Sequence, residues 1–246
     1  TPTVASAAAF LMHAARLDTS LSNGSTTSRN NDIVLNAERS EVIKALLMTG
    51  AERATNNTNP SYDPKNIEQY RVDPADRTDN GLDRRYGAGQ LNVYNSYHVL
   101  MEGEQDTLQD NGTGNIDPAG FDYDECVGGS NGSNAQATYF FTTGQESVEF
   151  VASLVWNVDV IRGNPGAYFM SAATLHDLDL QLFDASDGGN WILVADSAST
   201  TANTENVRAF LEADTPYVLQ VNRGAGASAF RWDYGLAWRT RISGDI

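Results

Sequence analysis

The stretch Asp177–Asp184, DLDLQLFD, decides the class of the C-terminal half. Leu178, Leu180 and Leu182 alternate with Asp177, Asp179 and Gln181. A period of two gives a strand one apolar and one polar face. Outward from it, further runs stand between turn-forming residues and carry strand signals: 136–143 QATYFFTT, 147–158 SVEFVASLVWNV, 191–197 WILVADS, 206–212 NVRAFLE, 216–223 PYVLQVNR and 230–241 FRWDYGLAWRTR. Short strands at this spacing predict an antiparallel sandwich. Trp156, Trp191, Trp232 and Trp238 all fall in this half and are read as packing residues, since a strand tryptophan is more often core than ligand platform.

Toward the N-terminus the period changes. TPTVASAAAFLMHAARL opens with Thr1 as a cap and Pro2 at the first helical position, and Val4, Ala8, Leu11, Met12 and Ala15 form a stripe. Its run of small residues suits a buried central helix. A second helix is predicted in EVIKALLMTGAERA, capped by Ser40, faced by Val42, Ile43, Leu46 and Leu47, and stopped at Gly50. A third follows Asn92 through Val93, Tyr97, Leu100 and Met101 and ends at Gly103. Between these helices lie polar segments at 18–32 and 55–80, read as loops. From Glu104 to about Asn134 the chain turns rich in Gly, Asn and Asp, the composition of a connection between domains.

Charge narrows the partners. Asp and Glu number 32 against 16 Lys and Arg, a formal net charge of −16. Such a field repels nucleic acid and anionic lipid, so neither is expected as a partner. No apolar run approaches the roughly 20 residues that a membrane helix needs. Cys126 is the single cysteine, which rules out an intrachain disulfide, and no base adjoins it in sequence, so it is read as structural.

TPTVASAAA resembles the segment that follows the nucleophile in subtilisin-like serine proteases, whose motif reads Gly-Thr-Ser-x-Ala-(Thr/Ser)-Pro-x-Val-Ala. The match begins at Thr1-Pro2, which would put the catalytic serine three residues before Thr1. EVIKALLMTGAERA resembles the next helix of that family, and RRYGAGQLNVYNSYHVL its closing Gly-x-Gly-x-(Leu/Val)-Asn helix. VASLVWN, DLDLQLFDAS, PYVLQV and YGLAWR resemble the β-sandwich of pre-peptidase C-terminal type carried by many secreted bacterial proteases. The resemblance implies an α/β fragment, the C-terminal helices of a catalytic domain, over 1–103. A linker and first strand region over 104–133 and an all-β antiparallel sandwich over 134–246 would follow. It further implies an exported protein, extracellular or periplasmic, whose partners are the N-terminal remainder of the protease domain and a peptide or protein substrate. The helices would then be expected to cover a parallel sheet supplied by preceding residues.

That family uses Asp, His and Ser in chain order with an Asn at the oxyanion, and all four would precede Thr1. His13, His98 and His176 match no catalytic-histidine motif and are read as packed or surface residues. No triad is assembled here, and Thr1 and Pro2 are left with supporting the nucleophile helix. Thr1 as an N-terminal nucleophile with its own amine as base is the competing chemistry, and Pro2 accounts for Thr1 as a cap without it. For metal, calcium is the candidate, held by Asp177, Asp179, Asp184 and Asp187, or by the acidic stretch DNGTGNIDPAGFDYDE at 110–125. Neither has EF-hand spacing, and alternating Asp also fits a solvent-facing strand. The competing function is a non-catalytic β-sandwich that binds or stabilises within a secreted protein.

Overall fold

Residues 148–155, VEFVASLV, are buried at every position, because both faces of this strand are covered. The computed structural model describes residues 2–28, 30–53, 74–110, 112–162 and 171–242, so Thr1 lies outside them. Three helices are described: α1 (Pro2–Leu17), α2 (Ser40–Thr49) and α3 (Val93–Met101). A small hairpin, β1 (Ser25–Thr27) with β2 (Ile33–Leu35), lies between the first two. The remaining strands are β3 (Ala119–Val127), β4 (Gln136–Thr142), β5 (Val148–Val155), β6 (Asp159–Arg162), β7 (Ser171–Thr174), β8 (Leu178–Asp184), β9 (Ile192–Ser197), β10 (Thr204–Leu211), β11 (Pro216–Arg223) and β12 (Trp232–Ile242).

Two four-stranded antiparallel sheets result, ordered β10-β5-β12-β3 and β4-β11-β8-β9, with β6-β7 as a separate hairpin. Their facing sides share one core that includes Tyr139, Phe150, Trp156, Leu180, Leu219 and Trp238. The alternation in DLDLQLFD works as read: Leu178, Leu180 and Leu182 are fully buried in this core. Trp156 and Trp238 are also fully buried, and their indole N–H groups donate to the carbonyls of His176 (2.8 Å) and Asp117 (3.0 Å). Trp191 departs from the core reading, with 40% of its surface exposed beside the edge strand β9.

The outer face of the first sheet carries the helices. Val42, Ile43, Ala45 and Leu46 of α2, Val99 and Leu100 of α3, and Leu11 and Ala15 of α1 pack with Phe121, Tyr123, Val155 and Ala237 from the strands. Two glycines permit the approach. A Cβ on Gly235 would stand 2.5 Å from the backbone nitrogen of Val42, and one on Gly50 would stand 2.6 Å from that of Ser96 on α3. The C-terminus of α2 is tied down by Arg239, whose guanidinium donates to the carbonyls of Thr49 (2.7 Å) and Ala51 (3.3 Å). A buried cation at this end also suits the helix dipole.

Several local expectations change. Ser40 is the first residue of α2 rather than its cap; Arg39 takes the cap position without a side-chain bond, and the Ser40 hydroxyl turns to Glu41. Gly50 is right-handed (φ −72°), so its value is the close contact with α3, not a left-handed stop. Asn92 caps α3 as expected, its side chain accepting from the N–H of Asn95 at 3.1 Å, and Gly103 takes a positive φ of 80°. The helices cover an antiparallel sheet of the sandwich itself, because the outward positions of β3, β5 and β12 are apolar. Much of the 55–80 loop lies outside the described residues. No described helix is long and apolar enough to cross a membrane.

Candidate functional site

The acidic stretch at 110–125 becomes part of a cavity only because distant loops close over it. Leu21 is buried after α1 and its carbonyl accepts from the N–H of Glu104 at 3.0 Å, which joins the first loop to the connection. Asn23 then donates its backbone N–H to the Glu104 carboxylate (2.5 Å) and its amide to Asp106 (2.8 Å). Asn36 donates to the second oxygen of Glu104 at 2.8 Å. Against these stands β3, the edge strand of its sheet, with Asp122, Tyr123, Asp124, Glu125 and Cys126.

The cavity measures about 370 Å³, and its wall includes the carboxylates of Glu104, Asp106, Asp110, Asp122, Asp124 and Glu125. Asp122 and Asp124 are both 2% exposed. Asp122 accepts from the Tyr139 hydroxyl at 2.7 Å, which in turn shares a 2.7 Å bond with the Tyr234 hydroxyl. Burial pushes the Asp122 carboxyl well above the usual carboxylate range, although the Tyr139 bond opposes the shift. Asp124 accepts from the N–H of Cys126 at 2.6 Å through one oxygen, its other oxygen is fully enclosed, and the Tyr234 hydroxyl is hydrogen-bonded to the carboxyl. Burial first, then the charge of Asp110, pushes Asp124 up to about 7. Burial also raises Glu104 and Asp110, the latter against a 2.9 Å bond from the Asn134 amide. Cys126 stands half-buried in the same wall as a free thiol.

The residues singled out from the sequence fare differently. Pro2 opens α1 and is exposed, whereas Thr1 lies outside the described residues. Asp177 and Asp179 sit at the start of β8, and Asp184 and Asp187 at its far end. Seven residues of strand, at ~3.3 Å each, separate Asp177 from Asp184 by roughly 23 Å. One ion cannot span both ends. Asp184 instead accepts from the N–H of Ser186 at 2.8 Å, closing the turn. Among the described residues no three His, Cys, Asp or Glu side chains are grouped so as to hold a metal ion, and calcium finds no ready cage here. His13 and His98 lie on exposed helix positions, and His176 stacks on Phe230 at 4.4 Å.

Another buried carboxylate escaped the sequence reading. Glu205 on β10 is fully buried, accepts from the Ser199 N–H at 2.9 Å and from the Ser197 hydroxyl, and is pushed by burial up to about 8. Both its oxygens are satisfied, so it closes a structural network. Alternating Phe121–Asp122–Tyr123–Asp124 was the available sequence signal for a strand with one acidic face.

No family model matches the chain, and no curated protein matches it. Solved structures give distant likenesses. The periplasmic inhibitor of g-type lysozyme PliG from Salmonella Typhimurium is 13% identical over 52% of this chain and 96% of that one, with a TM-score of 0.30. The PliG of Aeromonas hydrophila is 10% identical over 44% and 78%, at 0.25. The C-terminal domain of a chitobiase from Bacteroides fragilis is 12% identical over 57% and 91%, at 0.27. These likenesses are too distant to assign a fold or an activity, and they do not point to a subtilisin or to a pre-peptidase C-terminal domain.

Proposed function

We propose that this chain is the C-terminal portion of an exported subtilisin-like serine endopeptidase, with the sandwich as its accessory domain of pre-peptidase C-terminal type. The observation that carries the reading is the surface of α1. Only Ala7, Leu11 and Ala15 are buried on it, while Phe10 (48% exposed) and Met12 (43%) stand on other sides and Val4 (48%), in line with Leu11, is exposed one turn nearer the helix start. A helix apolar around its circumference is the kind found inside a domain. The remainder of a catalytic domain is the covering that fits a helix opening at Pro2.

In this reading the nucleophilic serine stands just before Thr1, at the positive end of α1. The first-turn N–H groups, unpaired within the helix, would favour the negative charge that develops when serine attacks a peptide carbonyl. Peptide hydrolysis would pass through an acyl-serine that water then resolves, and no triad member belongs to 1–246. Export to the periplasm or the medium follows from the same reading and suits the acidic surface.

The test is the polypeptide encoded upstream together with its reactivity. A Gly-Thr-Ser-x-Ala before Thr1, preceded by His and Asp motifs, and labelling of the longer protein by a fluorophosphonate are expected. The 246-residue chain should remain unlabelled. Unrelated upstream sequence would overturn the assignment. The second reading, a non-catalytic binding or stabilising module, draws on the self-contained core between the two sheets and on the acidic cavity. It predicts ligand binding with no fluorophosphonate labelling in any longer form.

A further inference from the structure

We propose that Asn131 is a site of spontaneous covalent modification in the folded protein, reacting with the Gly132 backbone to give a succinimide and then aspartate or isoaspartate. The inference stands independently of the protease reading, since it uses only groups within the described residues.

An Asn followed by Gly meets the least obstruction in this reaction, because glycine has no Cβ to hinder the approach of its nitrogen. The chain holds four such pairs, beginning at Asn23, Asn80, Asn111 and Asn131. Asn111 lies outside the described residues, and the structure holds the other three very differently. The Asn23 amide donates to the Glu104 carbonyl at 3.2 Å and to Asp106 at 2.8 Å. The Asn80 amide donates to the Thr204 hydroxyl at 2.9 Å and its side-chain oxygen accepts from the Thr78 hydroxyl at 2.7 Å. The Gly81 N–H beside it is engaged by the Thr78 carbonyl at 3.0 Å. Asn131 is exposed, and among the described residues neither its side chain nor the Gly132 N–H has a hydrogen-bond partner.

The fold itself calls for the reactive pair. Asn131 (φ 52°) and Gly132 (φ 82°) are both left-handed, and the Ser133 N–H closes on the Ser130 carbonyl at 2.9 Å. This is a type I′ turn, whose central positions favour Asn-Gly. Its anchors are Ser130 and Ser133, both bonded to the Phe230 carbonyl, so the two central residues are left free to swing.

In the first step the Gly132 nitrogen gives up its proton to solvent base and attacks the side-chain carbonyl carbon of Asn131. A carbon–nitrogen bond forms, the side-chain amide bond breaks, and ammonia leaves. Water then opens the ring at either carbonyl. One opening gives aspartate; the other gives isoaspartate, whose backbone runs through the former side chain and is a methylene longer. One water is consumed, and nothing is oxidised or reduced. The turn carries the chain from β3 in one sheet to β4 in the other, and the N–H groups of Gly128 and Gly129 both close on the Asn134 carbonyl (2.7 and 3.0 Å). A longer backbone at Asn131 breaks that register and loosens the crossover.

Incubation of the 246-residue chain in heavy-oxygen water at mildly alkaline pH, followed by peptide mapping, tests this. Each conversion takes up a solvent oxygen, so the label marks the site. Asn131 should label at least about tenfold faster than Asn23 or Asn80, the scale of one net hydrogen bond. In urea the three should label alike, because the local Asn-Gly sequence is shared. Asn131→Gly, which keeps both left-handed positions, should remove the label here and leave the rates at Asn23 and Asn80 as they were. Hydrogen exchange in the aged chain should quicken over 128–134. The proposal is overturned if Asn131 takes up no label in the folded chain, or if Asn23 or Asn80 labels as fast. A ranking that persists in urea also overturns it, since the cause would then lie in sequence and not in the fold.

Discussion

The sheet β10-β5-β12-β3 has two faces, and they are closed to very different degrees. Its inner face meets the second sheet across a core with Trp156, Trp238, Tyr139 and Phe150, all fully buried. Its outer face meets three helices through a smaller set of mostly aliphatic side chains, and α1 leaves most of its circumference uncovered. The same strands therefore anchor a finished core on one side and an incomplete layer on the other. That difference separates the core that holds this chain together from a layer whose outermost helix keeps exposed apolar residues.

The largest effect should come from the finished side. Trp238→Ala removes a fully buried indole and orphans the Asp117 carbonyl that it serves. Truncating a buried Trp costs about 3–5 kcal/mol, so a steep fall in denaturation midpoint is expected. A loss below about 1 kcal/mol would mean that the inter-sheet core is not what stabilises the fold.

The edge of this sheet should respond to pH. Asp124 and Glu205 have folded-state values pushed up to about 7 and about 8, above their ordinary 3.8 and 4.5. The folded chain then holds protons that the unfolded chain releases, so their destabilising effect is absent below about pH 4 and complete above about pH 8. The melting temperature should fall between pH 5 and pH 8, by an amount worth on the order of a few kcal/mol. Asp124→Asn should flatten part of that slope. A melting temperature that rises over this window, or a slope unchanged by the substitution, contradicts the assignment.

Legibility followed the same division. The strands of the finished core announce themselves because one face of each is apolar, as Leu178, Leu180 and Leu182 show. β3 was expected only as a first strand region without bounds inside a Gly-, Asn- and Asp-rich connection, because its polar positions turn inward: Asp122 and Asp124 are as buried as Phe121 and Tyr123. The 110–125 stretch was recognisable as acidic. Its closure by Asn23 was not, because that residue bonds Glu104 from 81 positions away and local sequence carries no trace of the pairing. The expectation of a parallel sheet beneath the helices came from the family resemblance, while the outward apolar residues of β5 and β12 supply the surface they occupy.

The layer between helices and sheet should show effects of intermediate size. Gly235→Ala places a methyl 2.5 Å from the α2 backbone, so the helix must lift from β12. Overpacking of this kind costs about 1–3 kcal/mol. Hydrogen exchange should show loss of protection in α2 and α3 with the sandwich strands unchanged. Equal loss in both layers would show that they unfold as one unit.

The smallest effect is expected at the exposed apolar residues of α1, and it gives the sharpest separation of the two faces. Val4→Ser and Met12→Gln alter exposed side chains and should move the stability of this chain by less than about 0.5 kcal/mol. If a catalytic domain covers the helix in a longer protein, the same substitutions there remove buried apolar surface and should cost about 1–3 kcal/mol each. Paired melting curves of the two lengths therefore test whether α1 is a core helix lacking its surroundings. Equal, near-zero effects in both would leave the apolar surface of α1 without a covering layer and would count against the protease assignment.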